Sequence, residues 1–351
     1  MMTSAGLPEF THERVMSVIG TRSGAHITVA LHSSALGPAL GGARLWSYPA
    51  WSDGVGDALR LSSAMTMKNA AAGLDAGGGK AVIALRPGEP LEAERRRAIL
   101  LDLGDLVESF GGLYRTAEDV GTTERDMLVV RERTEHVVGL PPEEGGSGEP
   151  ADATALGVYT SLRATLAEAV GSPEMDGRTV VISGLGQVGS RLARRLADDG
   201  ASLVVTDIAE SKRSLADELG ARWIEPEAAL TTPADLFVPA GLGGILTDEA
   251  IDALDVRAVV GPANNPLADR SGARRLADRG ILYAPDFVVS AGGVIHLTMA
   301  AEGATEAAIQ DRVTGIGATL ETVFRTAQAH GSTPLEAAES LATARISAAR
   351  A

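Results

Sequence analysis

The sequence of 351 residues contains no cysteine. Disulfides, thiolate-held metals and a thiol nucleophile are therefore excluded. Lysine is almost missing too. Of 31 cationic residues only Lys68, Lys80 and Lys212 are lysine, and the other 28 are arginine. Basic charge is in deficit, with a formal net charge of −15, which disfavours nucleic acid and anionic membrane as partners. No apolar stretch approaches the roughly 18 residues needed to span a bilayer. The N-terminal MMTSAGLPEFTHERV lacks a basic region followed by an apolar one, so no signal peptide is expected and the cytoplasm is the expected location. The six histidines, at 12, 26, 32, 136, 296 and 330, form no H-x-x-x-H pair and adjoin no carboxylate cluster, so no metal site is expected.

What is present is the composition of a globular protein, 45% apolar and 22% charged, at a length that favours two domains. RVMSVIGT (14–21) and AHITVALHS (25–33) read as strands joined by a Gly-containing turn. LGPALGGARLWSY suggests a bent strand, and residues 53–74 a helix ending at Gly73. KAVIALR (80–86) reads as a strand and residues 91–111 as an amphipathic helix. LPPEEGGSGEPAD (140–152) is the best linker candidate. Beyond it, helices alternate with short apolar runs, TVVISG, SLVVTD, WIE, DLFVP, RAVVG and ILYAP, as in a parallel sheet.

Two glycine clusters compete for a phosphate. GLDAGGGKAVI (73–83) lacks the first glycine and the Ser or Thr of a phosphate-cradling P-loop, since Leu74 and Ala81 stand there. Its lysine needs another explanation. Unlike arginine, a desolvated lysine can lose its proton and act as a base. GLGQVG (184–189) instead follows a strand and opens a helix, and Asp207 ends the next strand. Gly184, Gly186, Gln187, Val188 and Gly189 would let backbone N–H groups meet a pyrophosphate. Asp207 would accept from a ribose hydroxyl and repel a 2′-phosphate, favouring NAD. Lys212 and Arg213 argue weakly the other way.

GPALGGARLW, AMTMKNAAAGLDAGGGKAVI, TAEDVGTT, GLGQVG, GPANNPLAD and YAPDFVVSAGGVIHL, in this order and spacing, resemble the amino-acid dehydrogenases acting on glutamate, leucine, phenylalanine and valine. The phenylalanine, leucine and valine enzymes look nearest, and the similarity runs from about residue 12 to 345. The resemblance implies reversible, NAD-dependent oxidative deamination of an L-amino acid to a 2-oxo acid and ammonia, by a homo-oligomer, a dimer or larger. It makes Lys68 the substrate-carboxylate ligand, Lys80 the base that activates water, and Asp119 the group exchanging protons with the substrate nitrogen. Gly41 and Gly42 would line the substrate site through their backbone, with Leu40 and Met65 as pocket walls. Thr154, Asn264 and Asn265 match positions near the nicotinamide and its ribose. Lys68, as a second cation, is expected to favour the neutral amine at Lys80. The glycines before Lys80 are expected to let backbone and substrate approach closely.

One departure concerns the substrate side, where the family has asparagine and this chain has Ser290. Gly241 and Pro262 also differ from the family's more usual Ala and Ser or Ala. The expected fold is therefore α/β with two domains and a cleft between. Residues 1–142, joined by C-terminal helices at about 325–351, form an α/β substrate domain, and residues 143–324 an NAD-binding Rossmann domain. The pocket shows no extra acid or base for a charged side chain, so an apolar or aromatic amino acid is the expected substrate. The alternatives are a divergent member acting on a modified amino acid or imine in biosynthesis, and a non-catalytic NAD-binding regulator. Retention of Lys68, Lys80 and Asp119 together argues against the last.

Overall fold

The computed structural model describes residues 11–350, so most of the N-terminal stretch read for a signal peptide lies outside the described residues. The chain divides into two compact units. The first comprises residues 1–149, 297–303 and 342–351, and the second residues 150–296 and 304–341.

A five-stranded mixed sheet forms the first unit, with strand order β1-β2-β4-β3-β5. β1 (Arg14–Ile19) and β2 (His26–Ser33) form the antiparallel hairpin that the TRSGA turn dictates. β3 (Ala39–Ser47) lies parallel to both β4 (Gly77–Leu85) and β5 (Tyr114–Glu118). The two faces differ in side-chain size. Ile27, Val29, Leu31, Ala81 and Ile83 share one core with Ile99, Leu103 and Phe110 of helix and turn, and with Met127. Helix α2 (Ala93–Glu108) and helix α3 (Glu124–Arg131) supply that cover, after helix α1 (Trp51–Ala71) earlier in the chain. On the other face Ala30 and Val82 meet Ala58 and Leu59 of α1. Small side chains there bring α1 close: a Cβ at Gly54 would lie 2.8 Å from that of Ala84.

The second unit carries six parallel strands in the order β11-β10-β9-β6-β7-β8. Helix α4 (Ala151–Val170) precedes β6 (Thr179–Ser183), helix α5 (Gln187–Asp198) and β7 (Ser202–Thr206). Helix α6 (Arg213–Glu218), β8 (Arg222–Trp223), β9 (Leu236–Pro239), helix α7 (Asp248–Ala253) and β10 (Ala258–Val259) follow. Helix α8 (Gly272–Asp278), β11 (Leu282–Tyr283), the short helix α9 (Asp286–Val289) and helix α10 (Gly292–Ala301) come next. Helices α11 (Glu306–Thr314), α12 (Ile316–His330) and α13 (Pro334–Arg350) end the chain. Central β6 has neighbours from opposite directions of the chain, β9 and β7, which is the switch-point arrangement of a doubly wound fold.

The division differs from the sequence expectation at its edges. Of the stretch 325–351, only 342–351 belongs to the first unit. The apolar residues decide it. Leu335 of α13 packs in the second unit's core with Phe237, Leu276 and Tyr283, and Arg270 and Arg274 pair with Glu339 and Glu336. Farther on, Arg345 donates to the carbonyl of Leu74 at 2.6 Å and pairs with Asp75, tying the end of α13 to the first unit.

Candidate active site

In the first unit, Lys80 projects from β4 onto the face that α1 covers. Gly78 faces Thr66 of α1 and Ala84 faces Gly54, and Lys80 shares their period-two face. Its side chain is only 6% exposed, and its Nζ lies 3.0 Å from Asp119 Oδ2, just beyond the end of β5. Strand β3 runs between the two. The bridge across it depends on Gly42, where a Cβ would come within 2.8 Å of the Asp119 Cβ. Gly41 is equally confined: its missing Cβ would lie 3.4 Å from Met65 Cγ, and its carbonyl accepts from the buried Tyr114 hydroxyl at 2.6 Å. Leu40 is buried on the same strand, and Lys68 sits partly buried in the last turn of α1.

Asp119 is held from several sides. Its N–H donates to Thr122 Oγ1 at 2.9 Å, and that hydroxyl lies 2.8 Å from the Ala43 carbonyl. Burial alone would raise the Asp119 carboxyl, but Lys80 and Arg44 outweigh it and hold the group below the usual carboxylate range. Arg44 Nε donates to Asp119 Oδ2 at 3.1 Å and Nη1 to Asp57 Oδ2 at 3.1 Å. A donor and an acceptor at this spacing can pass a proton directly or hold it shared.

One expectation needs correction, while at Lys80 the structure adds a carboxylate, Asp119, at ion-pair distance. The glycines before Lys80 are strand residues occupied by protein contacts. Side chains at Gly77, Gly78 and Gly79 would meet the Ser33 carbonyl at 2.0 Å, the Thr66 nitrogen at 2.2 Å and the Tyr114 ring at 2.6 Å. They admit a helix and an aromatic ring, and so place Lys80 indirectly. Sequence reasoning also missed Arg44, whose signal was available: it stands two residues after Gly42 on the same strand. It missed as well that Leu40 borders a cavity of about 40 Å³ lined by Asp75, Arg115, Thr298 and Glu302.

The second unit gathers the nucleotide-type residues. Gly184 leaves β6 with φ +114°, and a Cβ there would meet the Ala240 backbone at 2.8 Å. Gly189 packs α5 onto this turn, a Cβ being 2.1 Å from the Gly184 carbonyl. Gly186 caps α5 and differs from both, because a Cβ there would enter open space. The α5 N-terminus, with Gln187 and Val188 in its first turn, thus keeps open room for an anion beside it. Asp207 accepts from Leu185 N–H at 2.7 Å and Ala209 N–H at 2.8 Å, each through one oxygen. Each oxygen keeps a second lone pair for a hydroxyl donor. Arg213 stacks over Trp223 at 5.4 Å and pairs with Glu225, so its charge is engaged locally.

A second cluster surrounds Asp286. Its Oδ2 accepts from Asn265 N–H at 2.8 Å, and Asn265 is the one described non-glycine residue with positive φ, at 50°. Asn264 precedes it, exposed, in the loop after β10. The Asp286 carbonyl accepts both the N–H and the hydroxyl of Ser290, at 2.8 and 2.7 Å. Thr154 of α4 donates to the Pro150 carbonyl at 2.9 Å, and its Oγ1 lies 2.7 Å from where a Gly293 Cβ would be. Thr154 and the Ser290–Gly293 turn are therefore neighbours. Among the described residues no group of three His, Asp or Glu is placed to hold a metal, and no helix is long and apolar enough to cross a membrane.

Comparison with known proteins shows the family. Residues 14–136 match the dimerisation domain of Glu/Leu/Phe/Val dehydrogenases, and residues 145–224 and 204–351 match the Glutamate/Leucine/Phenylalanine/Valine dehydrogenase family. The chain is 38% identical over 341 residues to leucine dehydrogenase of Thermoactinomyces intermedius, covering 97% of this chain and 92% of that protein. It is 41% identical over 343 residues to valine dehydrogenase of Streptomyces virginiae, covering 97% and 95%. The crystal structure of L-tryptophan dehydrogenase from Nostoc punctiforme superposes with a TM-score of 0.82 at 34% identity, covering 97% of each chain. With matches of this extent across both units, the chain belongs to the Glu/Leu/Phe/Val dehydrogenase family and is an amino-acid dehydrogenase, an oxidoreductase that uses a nicotinamide cofactor.

Proposed function

We infer that the protein catalyses the reversible, NAD-dependent oxidative deamination of an apolar or aromatic L-amino acid to a 2-oxo acid and ammonia. The observation that carries the reading is the Lys80–Asp119 pair at 3.0 Å in a chain that is otherwise almost free of lysine. Lys68 is the ligand of the substrate carboxylate, as a point charge at the end of α1. When bound, the nicotinamide would supply the hydride acceptor needed to oxidise the substrate amine to an iminium. Lys80 then takes a proton from the water that attacks the resulting iminium carbon, and Asp119 returns a proton to the nitrogen that leaves as ammonia. Leu40, Met65 and the backbone of Gly41 and Gly42 bound the substrate, and Ser290 is a further substrate-binding residue. Gly184, Gly186, Gln187, Val188 and Gly189 hold the pyrophosphate, and Thr154, Asn264 and Asn265 the nicotinamide riboside. Asp207 selects NAD: a carboxylate accepts ribose hydroxyls and repels a 2′-phosphate. The match to a dimerisation domain, with Ile19, Trp46, Trp51, Leu113 and Val120 exposed on the first unit, supports a homo-oligomer.

A panel of L-amino acids with NAD, and of 2-oxo acids with ammonia and NADH, followed by NADH absorbance, tests the reading. Turnover of apolar or aromatic members is expected. Binding of NAD with no turnover of any member would overturn it. The cavity beside Leu40 favours one variant of the reading, a substrate whose side chain ends in a polar group within reach of Arg115 or Glu302. Preference within the panel for such side chains over leucine, valine and phenylalanine decides for it.

A further inference from the structure

We propose that Arg44 is a positioning residue of the reaction, clamping Oδ2 of Asp119 so that proton exchange with the substrate runs through Oδ1 alone. This rests on the reading of Asp119 as the acid–base group. The two oxygens of Asp119 are not equivalent. Lys80 Nζ and Arg44 Nε both reach Oδ2, at 3.0 and 3.1 Å. Among the described residues no group hydrogen-bonds to Oδ1. A carboxylate with one oxygen held by two cations and the other open presents a single, directed site for a proton.

Arg44 is itself fixed from behind. Its Nη1 donates to Asp57 Oδ2 at 3.1 Å, and that oxygen also accepts the Tyr48 hydroxyl at 2.6 Å. Asp57 Oδ1 accepts from Arg60 Nη2 at 2.6 Å. The Arg44 and Asp57 side chains are only 22% and 14% exposed, so these bonds are shielded from water. A guanidinium suits the place for two reasons. Its planar fork spans Asp119 on β5's end and Asp57 on α1, which a single ammonium cannot do. It also does not release a proton in a protein, so the chain Asp119–Arg44–Asp57–Tyr48 is a charge clamp and not a proton wire. Burial and the bond to Asp57 hold the Tyr48 phenol well above its ordinary range, which keeps that proton in place. A proton on Asp119 therefore cannot leave through Arg44, and with Oδ2 occupied by protein groups its exchange with the substrate is left to the Oδ1 side. The lowered Asp119 carboxyl, with Arg44 among its causes, fits the same picture.

The test compares kcat, KM and pH profiles of Arg44→Met, Arg44→Lys and Asp119→Asn in the full-length enzyme. Arg44→Met is expected to lower kcat about 100-fold, the scale of an ångström-level misplacement. It should leave KM for amino acid and NAD nearly unchanged and move the acid limb of kcat/KM to higher pH. Arg44→Lys restores the charge without the two-ended hold, so the acid limb should return while kcat stays low. Wild-type kcat and acid limb in Arg44→Met, with Asp119→Asn inactive, would overturn the proposal and spare the reading beneath it. Wild-type activity in Asp119→Asn would sink the reading itself. Where Arg44→Met fails to fold, Arg44→Lys decides, wild-type kcat there being the overturning result.

Discussion

A Cβ built on Gly78 would lie 2.2 Å from the backbone nitrogen of Thr66. Neither atom can be moved by a rotamer change, because one belongs to a strand and the other to α1. Gly78→Ala is therefore expected to push α1 off β4 and destabilise the fold by about 1–3 kcal/mol, the usual scale of overpacking. Gly186→Ala makes the contrasting case, since its Cβ would stand in open space at the N-terminus of α5. That variant should unfold at the wild-type urea midpoint and bind NAD at least about tenfold more weakly, as a filled cradle blocks the pyrophosphate. Equal midpoints for the two variants would contradict the packing argument, and unaltered NAD affinity in Gly186→Ala would contradict the assignment of the turn.

Lys80 gives a second test. Lys80→Ala should lower turnover by about 10²- to 10⁴-fold, the range for loss of an acid–base group, with NAD affinity unchanged. Lys80→Arg is the sharper variant. It keeps a cation opposite Asp119 but removes a proton that can be given up. Turnover should stay lost in it. Recovery there would mean that Lys80 serves only as the counter-charge of Asp119.

The outline of both sheets was legible because it rests on local signals. The period-two pattern of HITVALHS and the short apolar runs TVVIS and SLVVT between helices mark strands whatever their neighbours. The Gly184, Gly186, Gly189 and Asp207 set was equally local. What the sequence hid is long-range. Whether Gly79 makes room for substrate or for Tyr114 depends on a residue 35 positions away, and no spacing rule reports it. Arg44 is 75 positions from Asp119, and a lone arginine on a strand is usually a solvated one. The unit to which α13 belongs was hidden for the same reason, since its short apolar stripe says only that it docks.

His32 makes the fold sensitive to acid. Its Nδ1 lies 2.8 Å from Thr66 Oγ1, and its ring packs edge-on against His12 at 4.9 Å. Burial, then His12 and Arg350, push the imidazole down from 6.5 to about 4, with Glu13 opposing. His12 is lowered in the same direction, mainly by burial. A depressed folded-state value means that the unfolded chain takes up a proton first. The neutral ring's contribution is then complete above pH 6.5 and falls as pH drops towards about 4. Urea midpoints measured across that window should decline, and His32→Gln should flatten the decline. An identical slope in the variant would show that other groups set it.

Ser290 offers the test of substrate scope. The residue is buried, and its hydroxyl donates to the Asp286 carbonyl four residues back, so the oxygen is turned to its own helix. Asp286 in turn holds Asn265 through its carboxylate, so the serine is anchored to the loop proposed to meet the nicotinamide. Asparagine in its place would give up the bond to the carbonyl, at a cost of about 0.5–1.5 kcal/mol, and present an amide with both a donor and an acceptor. A hydrogen bond to a charged substrate group contributes about 1.5–3 kcal/mol. Ser290→Asn should therefore raise kcat/KM for simple apolar amino acids by about tenfold or more while lowering the thermal midpoint slightly. If kinetics stay unchanged on every member of the panel, the serine has no part in recognising substrate. A fall in kcat/KM for apolar substrates would instead mean that the small, back-bonded serine makes room for a bulkier or polar substrate.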